Sequence, residues 1–160
     1  MRTVEYNRES AVQYALQWAY SRNPMNYDFS GLGGDCTNFA SQCIYAGSKQ
    51  MNFTPVFGWY YISASNRTAS WTGVEYLYNF LVGNVSLGPF GEEVGRAALQ
   101  IGDIVQLGNS EGFYHTPVVC GFSGGVPLVC AHSNDARNRP LDSYVFERVR
   151  YVHIEGVRVP

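Results

Sequence analysis

The sequence is poor in charge. Only 15% of its 160 residues are Asp, Glu, Lys or Arg, while 46% are apolar. A chain that stays disordered needs the reverse balance, so a packed core is expected. The charges also nearly cancel: 11 basic against 13 acidic residues leave a formal charge of −2. With no Lys/Arg cluster there is no electrostatic footprint for a phosphate backbone, and no nucleic-acid partner is expected. No apolar run reaches the roughly 20 residues of a membrane helix. Met1–Tyr6 has no apolar h-region, so no signal peptide is expected. Internal repeats, low-complexity stretches and the paired spacings C-x-x-C and H-x-x-x-H are missing too. A zinc site built from one Cys and two His is therefore disfavoured, and neither a metal nor a cofactor is expected. One domain over 1–160, acting as a monomer, fits this length.

What is abundant is aromatic: 12 Tyr, 9 Phe and 3 Trp. Such rings either pad a core or line a groove. The four cysteines are expected to be free thiols. Cys36 and Cys43 lie seven apart in one predicted helix, about 10.5 Å along its axis and too far to bridge. Cys120 and Cys130 fall on two strands of a predicted hairpin, and strand parity sends them to opposite faces. Four free thiols lean toward a reducing compartment.

Hydrophobic spacing predicts a helix over Arg8–Tyr20, capped by Asn7 and ended by Asn23-Pro24. A Gly-rich loop with Tyr27 and Phe29 follows. Asp35 to Gly47 reads as a second helix, with Asp35 as N-cap, Gly47 just past its end, and one buried stripe through positions 36, 40, 43 and 44. Lys49–Ser70 has turn residues and aromatics but no clean period, and reads as an irregular cover. A third helix is predicted over Trp71–Val82. After Pro89 the pattern changes to strands over Ile104–Leu107, Tyr114–Phe122, Val126–His132 and Tyr144–Ile154, with Ser123-Gly124-Gly125 as a hairpin turn. Helices first and strands later make an α+β domain, N-terminal helices packed on a C-terminal antiparallel sheet.

Cys36 is the best nucleophile candidate. A thiol at a helix N-terminus meets unpaired N–H groups and partial positive charge, which favour the attacking thiolate. This predicts the lowest pKa of the four thiols. Gly33-Gly34 leave the approach open. Asp35 opposes a thiolate by charge, so a His is needed nearby. Cys43, mid-helix, is given no role. His115 opens one strand of the hairpin and His132 closes the next. Paired numbers summing to 247 or 249 put His115, His132 and Asn134 on one face, unless a bulge intervenes. Cys36 as nucleophile, His115 as base and His132 as orienter then form a set, with Asn134 or Asp135 as alternative orienters. A His115 nitrogen is expected within about 4 Å of the sulfur. His153 reads as an ordinary strand residue. Tyr27 is an oxyanion candidate with the Cys36 N–H; Asn38 and Gln42 are substrate-positioning candidates. Arg137 and Arg139 read as solvated turn residues, or as holders of a substrate carboxylate.

The string Gly34-Asp35-Cys36-Thr37-Asn38-Phe39-Ala40-Ser41-Gln42 resembles the nucleophile motif of the putative amidase domain family. That family lies in the papain-like cysteine-peptidase clan, near the NlpC-type and CHAP cell-wall hydrolases. Asn23-Pro24, Gly58-Trp59-Tyr60-Tyr61, Ser70-Trp71-Thr72-Gly73-Val74, Leu99 with Gly102-Asp103-Ile104-Val105-Gln106, His115-Thr116 and His132-Ser133-Asn134-Asp135 resemble further motifs in the same order. The resemblance covers almost the whole chain. It implies a papain-like fold, catalytic positions at Cys36, His115 and His132, and a bacterial cell-envelope or secreted setting. The activity expected is cleavage of an amide in a peptide or peptidoglycan stem peptide through a thioester. Two rivals share the sequence features: a transferase that passes the acyl group to an amine, and a silent module binding glycan or peptide through residues 57–61.

Overall fold

The computed structural model describes residues 1–160. In chain order the elements are β1 (Arg2–Val4), α1 (Arg8–Trp18), α2 (Cys36–Ser48), β2 (Tyr61–Ser63), β3 (Asn66–Arg67), α3 (Ala69–Thr72), α4 (Val74–Gly83), β4 (Gly88–Val94), β5 (Ile104–Asn109), β6 (Gly112–His115), β7 (Val118–Ser123), β8 (Val126–Ala131), β9 (Ala136–Pro140) and β10 (Arg148–Val159). The fold is α+β: a curled antiparallel sheet carrying a few helices. Its path runs β1-β10-β5-β7-β8-β9, with β4 also on β10 and β6 also on β5. Strand β10 produces the curl. It pairs with β5 through Arg148–Val152, with β4 through Tyr151–Arg158, and with β1 through Val157–Val159, shifting register between Ile154 and Gly156.

Helix α1 starts where predicted, the Asn7 side chain accepting from the Ser10 N–H at 3.0 Å. Its buried line is Ala11, Ala15 and Ala19. These small residues at a four-residue spacing let α1 lie close against the rest of the core. Helix α2 departs from expectation: it is buried almost all round, not along one stripe. The polar residues Thr37, Asn38, Ser41 and Gln42 are therefore inside, and each has a partner. Gly47 is not the residue past the helix end; Lys49 takes the left-handed position at φ 56°. Gly47 is needed for packing, since a Cβ there would stand 2.6 Å from Tyr6 Cε1 and 2.7 Å from the Asn7 carbonyl oxygen.

The segment over 49–70 is more ordered than an irregular cover. It holds the β2–β3 ribbon and delivers Trp59, fully buried, onto Trp71 and Phe80 at ring distances of 4.6 and 5.9 Å. Trp59 and Trp71 donate their indole N–H groups to Ser41 and Asn38 of α2. The predicted third helix is two, α3 and α4, divided by extended Gly73. Strands β1, β4 and β9 were not expected.

One cluster, with Phe39, Cys43, Ile44, Val118 and Cys130, fills the space between α2 and the sheet. A smaller one, Leu99, Val105, Leu107, Val119, Val129 and Leu141, covers the opposite face. The β7–β8 hairpin decides which residues go to which side. Near its two-residue turn the pairs are Ser123↔Val126, Phe122↔Pro127 and Gly121↔Leu128. Gly124 and Gly125 both have positive φ, as a primed turn requires. Past a register shift the pairs become Val119↔Val129 and Val118↔Cys130. Cys120 is the extra residue, and the bulge inverts the parity for everything beyond it.

Candidate active site

Two expectations are corrected here. Cys120 and Cys130 share a face, with sulfurs 3.0 Å apart, although all four cysteines are free. His115 and His132 are parted: His115 ends β6, outside the β7–β8 hairpin, whereas His132 follows β8 and lies on the helix side of the sheet against Phe39. His115 pairs with Leu107 on the face of the smaller cluster.

His132 consequently does not orient His115. It lies under the helices, 1% exposed, stacked on Phe39 with ring centres 3.9 Å apart. Its Nδ1 donates to Asp35 Oδ2 at 2.5 Å and its Nε2 to the Trp18 carbonyl at 2.8 Å. Both ring nitrogens are thus engaged, which leaves neither free for another partner. The Trp18 carbonyl belongs to the last turn of α1 and also accepts from the Ser21 N–H at 3.2 Å.

Asp35 does not cap α2 with its side chain. Its Oδ1 accepts from the Phe29 N–H at 2.8 Å and from Asn38 Nδ2 at 2.9 Å. With His132 on Oδ2, the carboxylate ties the loop before the nucleophile to the start of the helix. Gly33 and Gly34 make the turn into the helix at φ +84° and +103°, which only glycine adopts freely. The Asp35 N–H donates to Ser133 Oγ at 3.2 Å.

Cys36 opens α2 and is 8% exposed. No side chain caps the helix, so its first-turn N–H groups have no side-chain acceptor. The sulfur stands 3.7 Å from Thr37 Oγ1 and 3.9 Å from the Tyr114 carbonyl. It abuts the strand segment that carries His115, yet no hydrogen bond joins it to the imidazole. The His115 ring makes no hydrogen bond at all and lies 5.8 Å from the Tyr144 ring centre. Burial, then the Arg139 charge, pushes its pKa down to about 4. Burial pushes the Cys36 thiol up from its ordinary value, outweighing hydrogen bonds from Thr37 and from the Thr37 and Thr116 backbone. The site therefore rests as neutral thiol and neutral imidazole, not as the lowered thiol that position alone predicts.

Below the thiol a polar chain runs through the core. Thr37 Oγ1 and Thr116 Oγ1 are 3.1 Å apart; Gln106 Nε2 donates to Thr116 and to the Val74 carbonyl; Arg150 donates twice to Gln106 Oε1 and once to Glu75. Sequence reading missed this chain, the carboxylate role of Asp35 and the Ser133 contact. Buried polar residues flanking a nucleophile were the available signal.

The other candidates are placed as follows. Tyr27 is half-exposed, its ring edge-on to Phe29 at 4.8 Å and its hydroxyl unbonded; its backbone is held by the Tyr61 hydroxyl and Asn38. Asn38 is 1% exposed and fully engaged with Asp35, Tyr27 and Trp71, which leaves nothing for substrate. Gln42 accepts from the Tyr14 hydroxyl at 2.5 Å. Asp135 is taken by Arg22 at 3.0 and 3.1 Å. Asn134, at φ 61°, lines a cleft of about 350 Å³ with His115, Ser133, Arg139 and Tyr144. His153 is more than a plain strand residue: its Nδ1 donates to buried Asp103, which also holds Arg8.

Residues 5–154 match the family described as "Putative amidase domain". The chain is similar to the uncharacterized protein YhbB of Bacillus subtilis (strain 168), 36% identical over 145 residues. That alignment covers 86% of this chain and 45% of YhbB, so the chain spans less than half the length of that relative. No solved structure matches.

Proposed function

The chain belongs to the putative amidase domain family, and from that membership with the geometry around Cys36 we propose that it hydrolyses an amide bond with Cys36 as nucleophile and His115 as base. The observation that carries this is the position of the sulfur. It sits at an uncapped helix start, 3.9 Å from the carbonyl of the residue preceding His115, beside a cleft containing the imidazole. Amide chemistry of this kind needs a nucleophile, a base and anion-stabilising donors, and the Cys36 thiol, the His115 imidazole and the first-turn N–H groups of α2 are the groups proposed for these roles.

His115, neutral at pH 7, takes the Cys36 proton as the sulfur attacks the carbonyl carbon. The imidazole reaches the thiol by turning in its cleft or through one water. First-turn N–H groups of α2 stabilise the oxyanion. The C–N bond breaks, His115 returns the proton to the leaving amine, and a thioester remains. Water, deprotonated by His115, cleaves it to a carboxylic acid and frees the thiol. Asn134 is the orienter candidate within the same cleft. His132 acts at a distance, by holding Asp35 and hence the loop before Cys36. This layout, nucleophile on a helix and base on the facing strand, supports membership of the papain-like clan, and a peptide or peptidoglycan stem peptide is the proposed substrate.

Incubation with stem peptides and muropeptides, read by mass spectrometry, tests the reading. Cleavage lost in both Cys36→Ala and His115→Gln, with a trapped acyl adduct on Cys36, supports it. Cleavage that survives Cys36→Ala overturns it, and release of amide products to an added amine in place of acid assigns a transferase.

A further inference from the structure

The cleft beside His115 has an unusual charge balance. It contains Arg139 and no Asp or Glu. Arg139 is not a loose surface side chain. Its guanidinium lies 3.6 Å above the Tyr144 ring centre, with Nε donating to Ser143 Oγ at 2.8 Å and Nη2 to the Ser143 carbonyl at 3.1 Å. Three contacts fix the plane of the fork and leave Nη1 uncommitted. No carboxylate of the chain pairs with it; it shares this with Arg2, Arg67, Arg137, Arg148 and Arg158, but of these six it is the one that lines the cleft beside His115. The Tyr144 hydroxyl under it is shut off from solvent and has no hydrogen-bond partner. A buried donor without an acceptor costs about 1–3 kcal/mol, so an arriving acceptor has something to gain.

We propose that Arg139 and Tyr144 form a subsite for a carboxylate carried by the substrate close to the scissile amide. The inference rests on the assignment of this cleft to the active site. An oriented guanidinium gives charge-assisted donors of the kind that favour a carboxylate over a neutral amide, and a small shift of the Arg139 stack would bring the buried Tyr144 hydroxyl into the same contact. A carboxylate there also offsets the Arg139 charge that His115 feels. The carboxylate has two sources, the C-terminus of a short peptide or an acidic side chain.

Binding to the Cys36→Ala protein by calorimetry separates the sources and is independent of turnover. The probes are trialanine against trialanine amide, and acetyl-Ala-Glu-Ala amide against its Gln counterpart. In at least one pair the acid should bind tenfold or more tighter than its neutral partner. Adding Arg139→Gln should bring that ratio to within about twofold of one, and Arg139→Lys should restore part of it. Equal binding within both pairs, no binding of either, or discrimination that survives Arg139→Gln overturns the proposal. If Arg139→Gln fails to fold by circular dichroism, Tyr144→Phe decides: the stack remains, and the ratio should fall about threefold; an unchanged ratio counts against the subsite. Selective binding without cleavage by the parent protein sinks the hydrolase reading and leaves the subsite standing.

Discussion

His132 and His115 flank one nucleophile and live in opposite conditions. His132 is sealed under α1 and α2, with an acceptor on each nitrogen and Phe39 against its face. His115 faces a cleft, hydrogen-bonds to nothing, and is pressed toward neutrality by burial and Arg139. A fully satisfied histidine has no capacity left for a reaction, whereas an unsatisfied one is poorly used as a structural part. The difference teaches that partnering, more than nearness in sequence to a motif, separates scaffold from machinery here.

The comparison breaks most decisively on turnover. His115→Gln should lower kcat by about 10²–10⁴, the usual worth of a positioned proton carrier. His132→Gln should cost far less when both proteins are assayed well below their unfolding temperatures. Equal losses would put both rings in the chemistry. Stability should show the reverse order. His132→Ala leaves Asp35, 1% exposed, as a buried carboxylate with only Arg22, 3.7 Å away, as a charged partner, at a cost of up to about 3–5 kcal/mol in urea unfolding. A loss under 1 kcal/mol would mean that the Phe29 and Asn38 donors together with Arg22 suffice for Asp35.

The legible part of this molecule was local. Cys36 at a helix start, the Asn7 cap and the Gly124-Gly125 turn all follow from near neighbours in the chain. What stayed hidden depends on a single residue's offset. Of the two registers considered for the hairpin, the pairs near its turn follow the one summing to 249 and exclude the one summing to 247. The bulge at Cys120 then reverses the faces, and nothing in Val118-Val119-Cys120-Gly121 announces it. In β9, Ala136-Arg137-Asn138-Arg139-Pro140, the arginines read as turn residues, and β4, with its Pro and two Glu, carried no strand signal, because exposed edge strands use such residues. The burial of α2 on all sides was concealed by its polar residues, whose partners come from distant Trp71, Thr116 and Tyr14.

Acidity gives a finer contrast. His115 has its pKa lowered from 6.5 to about 4. Between those values the unfolded chain holds a proton on this ring that the folded chain lacks, so stability falls as pH falls through that window. The full linkage is worth about 3 kcal/mol. His115→Gln should flatten that part of the stability profile. In the active protein the base form should persist well below pH 6, and the iodoacetamide rate of Cys36 should keep climbing above pH 8, since burial raises the thiol. A plateau in alkylation near neutrality would reveal a preformed thiolate–imidazolium pair and overturn the neutral resting state.

The smallest expected effect concerns the bulge between the two histidines. Cys120 and Cys130 hold their sulfurs 3.0 Å apart across β7 and β8. One proton leaves this pair more readily than it leaves an ordinary thiol, because the remaining S–H donates to the new thiolate: Cys130 is lowered and Cys120 raised. Cys130 is fully buried and Cys120 nearly so, so exchange of this pair with oxidised glutathione should proceed slowly, through local opening of the hairpin. Two S–H bonds would become one S–S bond, the two electrons and two protons leaving as two molecules of reduced glutathione. The product should weigh 2 Da less than the reduced protein, with Cys36 and Cys43 still alkylatable. The link joins two strands already paired in the sheet and closes a loop only ten residues long, so it should add no more than about 3 kcal/mol to stability. It lies on the helix side of the bulge and touches neither His115 nor its cleft, so turnover should change less than twofold. A larger change in turnover would show that the bulge is mechanically coupled to the site and would soften the separation between the two histidines. A product 2 Da lighter that has lost Cys36 as an alkylatable thiol would show that the nucleophile, not the hairpin, is the oxidisable centre.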